Sequence, residues 1–222
     1  MNSDHILPGT NRTLIAAAVP AERDAVLRGL RDDPRFEVIN AGVGPIASAA
    51  NTARALAADQ YGLVISAGIG GGFPGKAEVG SLVVASEIVA ADLGVETPEG
   101  FSSIDELGFG ATRISVESGL FRRVVGTLQA AGLEVCTGPV LTVSTVTGTA
   151  ESAARLAARV PGAVAEAMEG YGVALAALLY GIPTIEIRAV SNLVGPRNRA
   201  VWRVEEALRV LEAAGSILKE VL

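Results

Sequence analysis

Residues 163–192 read AVAEAMEGYGVALAALLYGIPTIEIRAVSN, and this stretch decides the fold class. A short apolar run, Ala163 to Glu166, reads as a strand. Gly170 to Tyr180, dense in alanine and leucine, reads as a helix that Gly181 and Pro183 bring to an end. Thr184 to Val190, rich in β-branched residues, reads as a second strand. Strand, helix and strand in succession are the material of an α/β layer. The strands lack a clean polar alternation, as expected of a sheet that helices cover on both faces.

The same alternation extends in both directions. Strands are expected at Thr13 to Val19, Phe36 to Asn40, Leu63 to Ala67, Ser81 to Val89 and Val140 to Ser144. Helices are expected at Ala21 to Arg31, Ile46 to Ala58, Leu120 to Ala131, Glu151 to Arg159 and Arg203 to Leu222. Gly68 to Gly75 reads as a loop, and so does the glycine-punctuated Asp92 to Thr112. Met1 to Arg12 is a polar leader without the apolar core of a secretory signal, so residues 13–222 form the expected domain. In such sheets ligands bind beyond the carboxyl ends of the strands, here Val19 to Glu22, Asn40 to Gly44, Ala67 to Gly72, Val143 to Thr147, Glu166 to Gly170 and Val190 to Gly195.

Composition narrows the chemistry. The chain has 222 residues, 50% hydrophobic and 19% charged, which excludes a disordered chain. Its richest apolar run, Val173 to Leu179, is too short to span a membrane. The net charge of −6, with Arg197, Arg199 and Arg203 as the one dense basic patch, argues against nucleic acid as a partner. The single cysteine, Cys136, and single histidine, His5, leave no intrachain disulfide, no Ser-His-Asp or Cys-His machinery and no cysteine or multi-histidine metal centre. A cytoplasmic protein without metal or cofactor is the expectation. Its chemistry would rest on carboxylates, amides and backbone groups.

Two glycine motifs invite stronger readings. Gly42-Val-Gly44-Pro-Ile-Ala47 fits a permissive dinucleotide fingerprint between strand and helix, but the next strand ends in Ser66 and Ala67 without an acid for a ribose diol. Gly70 to Lys76 approaches a phosphate-binding loop, yet Ala77 stands where Ser or Thr would hold magnesium, and a strand follows where a helix should. Tight turns and close packing are the plainer reading of both. Glu22, Glu166 and Glu169 sit where strands give way to helices, positions that acids also occupy merely to complement the helix dipole. Arg188 in a strand needs a partner, and Glu186 or Glu169 could supply it.

Taken in order, AVPAE (18–22), GVGPIASAANTARAL (42–56), SAGIGGGFPGKAEVGSLVVAS (66–86) and AEAMEGYGVALAALLYGIPTIEIRAVSN (165–192) resemble the nucleoside phosphorylase and hydrolase superfamily. ADLGVETPEGF (91–101) and SNLVGPRNR (191–199) resemble one hydrolase branch of it, whose substrate ends, beyond the ribose 5′ position, in a carboxylated aromatic group. The resemblance implies a single α/β domain with a central mixed sheet flanked by helices, assembled as a homo-oligomer and acting on a purine nucleoside. It implies that Glu22 activates water and that Met168 and Glu169 lie under the ribose with Ala167 beside them. Gly68, Ile69 and Gly70 would flank the sugar, Leu141, Thr142 and Val143 would pack on the purine, and Arg188 and Ser191 would support the floor. Asn192 stands where adenine-releasing relatives carry Asp.

The implied reaction is chemically coherent. N-glycosidic cleavage passes through an oxocarbenium-like sugar, so one carboxylate can activate water while a group at the base assists its departure. The Asn192 amide can donate to a 6-oxo group and accept from the proton on N7 of a leaving purine, which favours hypoxanthine or guanine over adenine. A methylthioadenosine or S-adenosylhomocysteine nucleosidase, a purine nucleoside phosphorylase and a non-catalytic nucleoside-binding protein are the alternatives. Hydrolysis is preferred because AVPAERD lacks the Gly-Asp-Pro pattern and following Arg that hold phosphate in phosphorylases. A pure binding protein would not need Glu22. The loop Asp92 to Thr112, Arg197, Arg199 and Trp202 are the candidates to contact the 5′ group.

Overall fold

The computed structural model describes residues 12–222. The expected polar leader, with His5, lies outside them except for Arg12. That residue is tied to the fold by ion pairs to Glu37 and Asp59.

The chain runs β1 (Thr13–Ala17), α1 (Pro20–Leu30), β2 (Phe36–Asn40), α2 (Pro45–Ala58), β3 (Leu63–Gly72), β4 (Leu82–Ala90), β5 (Gly94–Thr97), β6 (Gly100–Ser103) and β7 (Arg113–Ser115). It continues through α3 (Ser118–Ala130), β8 (Val135–Thr142), α4 (Ala150–Arg159), β9 (Ala165–Ala167), α5 (Gly170–Leu179), β10 (Thr184–Leu193), a 3-10 turn (Arg199–Val201) and α6 (Val204–Leu218). The main sheet is mixed: β1 lies parallel to β2 and β3, β3 to β10, and β4 and β9 to β8, while β4 runs antiparallel to β10 and β9 antiparallel to β3. Because β3 pairs with β10 as well as β9, the strands β3, β10, β4, β8 and β9 close into a ring, and β1 and β2 extend from it.

Alternate residues of β1 point to opposite layers. Ile15 joins Val26 and Leu30 of α1, Leu211 and Leu218 of α6 and Leu120, Val124 and Leu128 of α3 in one core. Leu14 and Ala16 join Leu56 of α2 and Val173 and Ala177 of α5 in the other. Helices therefore cover both faces, the arrangement expected from the apolar strands.

The glycine segment departs from its expected loop. Residues 68–72 continue β3 and pair along its length with β10. Glycine serves close approach here: a Cβ on Gly72 would lie 2.0 Å from the Ala77 carbonyl oxygen. β8 begins at Val135 rather than Val140, because a register shift in β4 between Ala85 and Glu87 falls opposite Gly138 and Pro139 and accommodates the proline. The expected loop Asp92 to Thr112 contains the antiparallel hairpin β5–β6. Short two-stranded pieces of this kind carry too few apolar residues to register as strands.

Candidate active site

One feature of the sheet creates the site. Along the edge of β3 opposite β10, β1 pairs only as far as Ser66 and β9 pairs only from Gly71. The edge between them is open, and the free Ile69 N–H is the group a carboxylate can reach. Glu22, in the first turn of α1, accepts that hydrogen bond at 2.8 Å through Oε1. Its Oε2 accepts from Ala18 N at 3.0 Å and Val19 N at 3.3 Å. The carboxylate is buried, and burial raises its pKa, opposed by the Arg188 charge and the Ile69 N–H. Its orientation is fixed by three backbone donors.

Arg188, on β10, is the centre of the cluster and is fully buried. Its Nε donates to Glu186 Oε1 at 2.8 Å, Nη1 to Glu169 Oε2 at 3.2 Å and Nη2 to Ser66 Oγ at 3.0 Å. Both partners that the sequence suggested for it are thus engaged at once. The two carboxylates hold the guanidinium firmly protonated against the cost of burial. Glu169 also accepts from the Gly44 N–H at 3.2 Å, linking the start of α5 to the start of α2. Glu186 lies beneath the first turn of α5. One of its oxygens has no hydrogen-bond partner among the described residues, and burial raises its pKa despite Arg188. Gly68 separates Glu22 from Arg188: a Cβ there would lie 2.7 Å from both Glu22 Oε1 and Arg188 Nη1.

The carboxyl end of β10 carries a second irregularity. Val190 pairs with Gly70 and Asn192 with Gly71, so Ser191 is bulged out of the ladder. Bulges re-aim side chains beside functional sites. Ser191 Oγ donates to the Gly70 carbonyl at 3.3 Å and to Asn192 Oδ1 at 2.8 Å. The Asn192 amide nitrogen donates to Leu193 O at 3.0 Å. The side chain is half-buried.

The expected site residues therefore fall into two groups. Glu22, Gly68, Ile69, Gly70, Glu169, Arg188, Ser191 and Asn192 form one contiguous constellation, with Ala167 and Met168 in the short segment leading to Glu169. Leu141, Thr142 and Val143 adjoin it through β9, Leu141 pairing with Glu166 and Thr142 with Ala167, and their polar groups are engaged within the protein. Leu141 is buried in a core with Phe73, Val89 and Val194. The Thr142 hydroxyl accepts from Tyr171 N at 2.8 Å, its carbonyl accepts from Ala91 N, and Val143 N donates to Ala167 O. Missed by the sequence reading were Ser66 and Gly44, which contact Arg188 and Glu169, and Thr147. The Thr147 backbone N–H and hydroxyl both donate to the buried Glu166 carboxylate, whose pKa burial raises. No periodicity or spacing in the sequence marks these contacts, since each joins segments distant along the chain.

Three buried carboxylates around one guanidinium, Glu22 and Glu169 following β1 and β9 and Glu186 within β10, suit a reacting centre that becomes positive. Ionised, the cluster presents an excess of negative charge to an oxocarbenium-like sugar.

The family model of the phosphorylase superfamily matches residues 24–222, and the chain belongs to that superfamily. The chain is 49% identical to a futalosine hydrolase of Streptomyces coelicolor over 94% of its own length and 95% of the relative's. It is 36% identical to a futalosine hydrolase of Thermus thermophilus over 84% and 82% of the two chains. Within the superfamily it groups with the futalosine hydrolases. The fold is shared with an S-adenosylhomocysteine nucleosidase of Streptococcus pyogenes, solved with 5-methylthiotubericidin, at a TM-score of 0.83 and 18% identity over 96% of this chain and 98% of that one.

Proposed function

We propose that this chain hydrolyses futalosine, an inosine extended at its 5′ position to a carboxylated aromatic ring, releasing hypoxanthine and dehypoxanthine futalosine in menaquinone biosynthesis. The substrate follows from the relatives; the observation that carries the hydrolytic step is the Glu22 carboxylate, buried and triply anchored at the open edge of β3. Glu22 takes a proton from water as its oxygen bonds to the anomeric carbon. The bond from that carbon to N9 breaks with its electron pair going to the purine, solvent water supplies the proton that the departing base carries on N7, and Glu22 returns its own proton to solvent. Glu169, fixed by Arg188 and Gly44, receives the ribose hydroxyls. Its charge, with that of Glu186, favours the cationic sugar of the transition state over the neutral ground state. Asn192 assists the base, donating to the 6-oxo group and accepting from N7.

Water is favoured over phosphate because Arg23, the cation adjacent to Glu22, is held by Asp24 through bonds of 2.9 and 2.7 Å. Asn192 favours hypoxanthine over adenine and sets this reading apart from a methylthioadenosine nucleosidase. The same reading carries a cytoplasmic homo-oligomer, which light scattering on the purified protein would test. The decisive experiment is release of hypoxanthine from futalosine in phosphate-free buffer containing a chelator. Strict dependence on phosphate, with a sugar 1-phosphate as product, would overturn it.

A further inference from the structure

We infer that Glu166 is a positioning residue for discrimination of the base: it fixes the loop 144–148 opposite Asn192, so that a base reaching the Asn192 amide meets it in one pose. The inference rests on the reading above, since it concerns the base that Asn192 reads. Glu166 takes no part in the steps proposed there. It is buried, and among the described residues it makes no ion pair. Its place in the sheet is defined on both sides. Glu166 of β9 pairs with Gly71 of β3, and Gly71 pairs with Asn192 of β10. Directly paired residues project from one face, so Glu166 and Asn192 share a face about 10 Å apart, two strand spacings. Gly71 between them adds no side chain: a Cβ there would lie 3.3 Å from Asn192 Nδ2 and 3.0 Å from Val194 Cγ2. The row therefore carries a polar side chain at each end and none at its middle.

Both oxygens of Glu166 are committed to a single residue. Oε1 accepts from Thr147 N at 2.9 Å, and Oε2 accepts from the Thr147 hydroxyl. Thr147 lies in the loop between β8 and α4. It is buried, whereas Ser144, Thr145, Val146 and Gly148 are exposed, so it is the point at which this loop turns inward. The start of the loop is held in the same way, by Asp92, which accepts from Ser144 N at 2.6 Å. Side-chain carboxylates on rigid strands thus set where the loop stands. Two charge-assisted bonds to one residue fix its orientation as well as its distance. The arrangement is costly, because a carboxylate without a cation is buried to make it, and burial raises its pKa against both Thr147 bonds. A base bonded to Asn192 lies along the row toward this loop. With the loop fixed, the base edge is presented to the amide at one angle, and a 6-oxo group is matched where a 6-amino group is not. With the loop free to shift, the base tilts and the distinction weakens.

The test measures kcat/KM for futalosine and for its 6-amino analogue in the wild type, Glu166→Ala, Glu166→Gln, Thr147→Val and Thr147→Ser. Glu166→Ala releases the loop, and the ratio of futalosine to analogue should fall about tenfold, within the range of one mismatched buried contact. Glu166→Gln keeps the grip, its carbonyl accepting from Thr147 N and its amide donating to the hydroxyl, so the ratio should stay within about twofold of wild type. Thr147→Val loses the hydroxyl bond and should lower the ratio by about threefold. Thr147→Ser keeps both bonds and should hold the wild-type ratio. For a variant too slow to assay, the inhibition constants of hypoxanthine and adenine supply the same comparison. A folded Glu166→Ala enzyme with the wild-type ratio would overturn the assignment, since a role in stability alone lowers activity on both substrates equally. Glu166→Gln falling as far as Glu166→Ala would also overturn it, by making the charge and not the grip the agent. Should Glu166→Ala fail to fold, the Thr147 pair decides: equal ratios in Thr147→Val and Thr147→Ser would overturn the assignment. Failure of the proposed function would show instead in the wild type, as no release of hypoxanthine from futalosine.

Discussion

Replacing Gly68 by alanine adds one methyl group at the point where Glu22 and Arg188 approach each other. The new Cβ would lie 2.7 Å from Glu22 Oε1 and from Arg188 Nη1, about 0.7 Å inside the 3.4 Å at which ordinary contact begins. Neither neighbour can yield freely. Moving the carboxylate lengthens its bond to Ile69 N, and moving the guanidinium disturbs its bond to Glu169. A displacement approaching 1 Å at a reacting group can cost about 10²-fold in rate. Overpacking a buried site costs about 1–3 kcal/mol. The expected result is a kcat for futalosine about 10²-fold below wild type, with a melting temperature lower by roughly 2–12 °C for a chain of this size. Gly126→Ala, in α3 with nothing within 4 Å of the added Cβ, is the control. It should keep full activity and gain up to about 1 kcal/mol from helix propensity. A Gly68→Ala enzyme with turnover within about threefold of wild type would refute the claim that the Glu22–Arg188 spacing governs catalysis.

Glu22→Gln should lower kcat by about 10²–10⁴-fold with little change in KM, checked by steady-state assay of hypoxanthine release. Because burial raises the Glu22 pKa and the base acts ionised, wild-type activity should fall on acidification from a pH above the ordinary carboxylate value of 4.5. That acid limb should be lost from the residual activity of the variant. Asn192→Asp should shift the ratio of kcat/KM for futalosine to that for its 6-amino analogue toward the latter, by roughly 5–150-fold, since one buried polar contact changes from matched to mismatched. An unchanged ratio in a folded variant would remove Asn192 from base recognition. Arg188→Met should destabilise the protein by about 3–5 kcal/mol at neutral pH, because Glu186 and Glu169 lose their shared cation. Glu186 holds its proton more tightly folded than unfolded, and without Arg188 more tightly still, so the loss should be greatest at high pH and shrink as pH falls toward the unfolded value. Urea unfolding at pH 5 and pH 8 would check the sign.

Much of this molecule was legible along the chain. Apolar runs such as Leu63 to Ala67 and Thr184 to Val190, set between amphipathic stretches, determine an α/β fold because burial on both faces demands that composition locally. The scarcity of histidine and cysteine confined the chemistry to carboxylates and amides, and the order of the glycine and Met-Glu motifs pointed to the superfamily. Tertiary structure decided what depends on contacts between distant segments. The glycines of residues 68–72 look like a loop in sequence, yet they form strand because β10 pairs beside them and because side chains and backbone must pass within a few ångströms of their α-carbons. Arg188 needed a partner by its burial alone, but only the convergence of β3, β10 and the start of α5 gives it Ser66, Glu186 and Glu169 together. The catalytic standing proposed for Glu22 has the same origin. A glutamate in the first turn of a helix is ordinary in sequence, and this one becomes distinctive because β1 ends before β9 begins along the edge of β3, leaving the Ile69 N–H for its carboxylate.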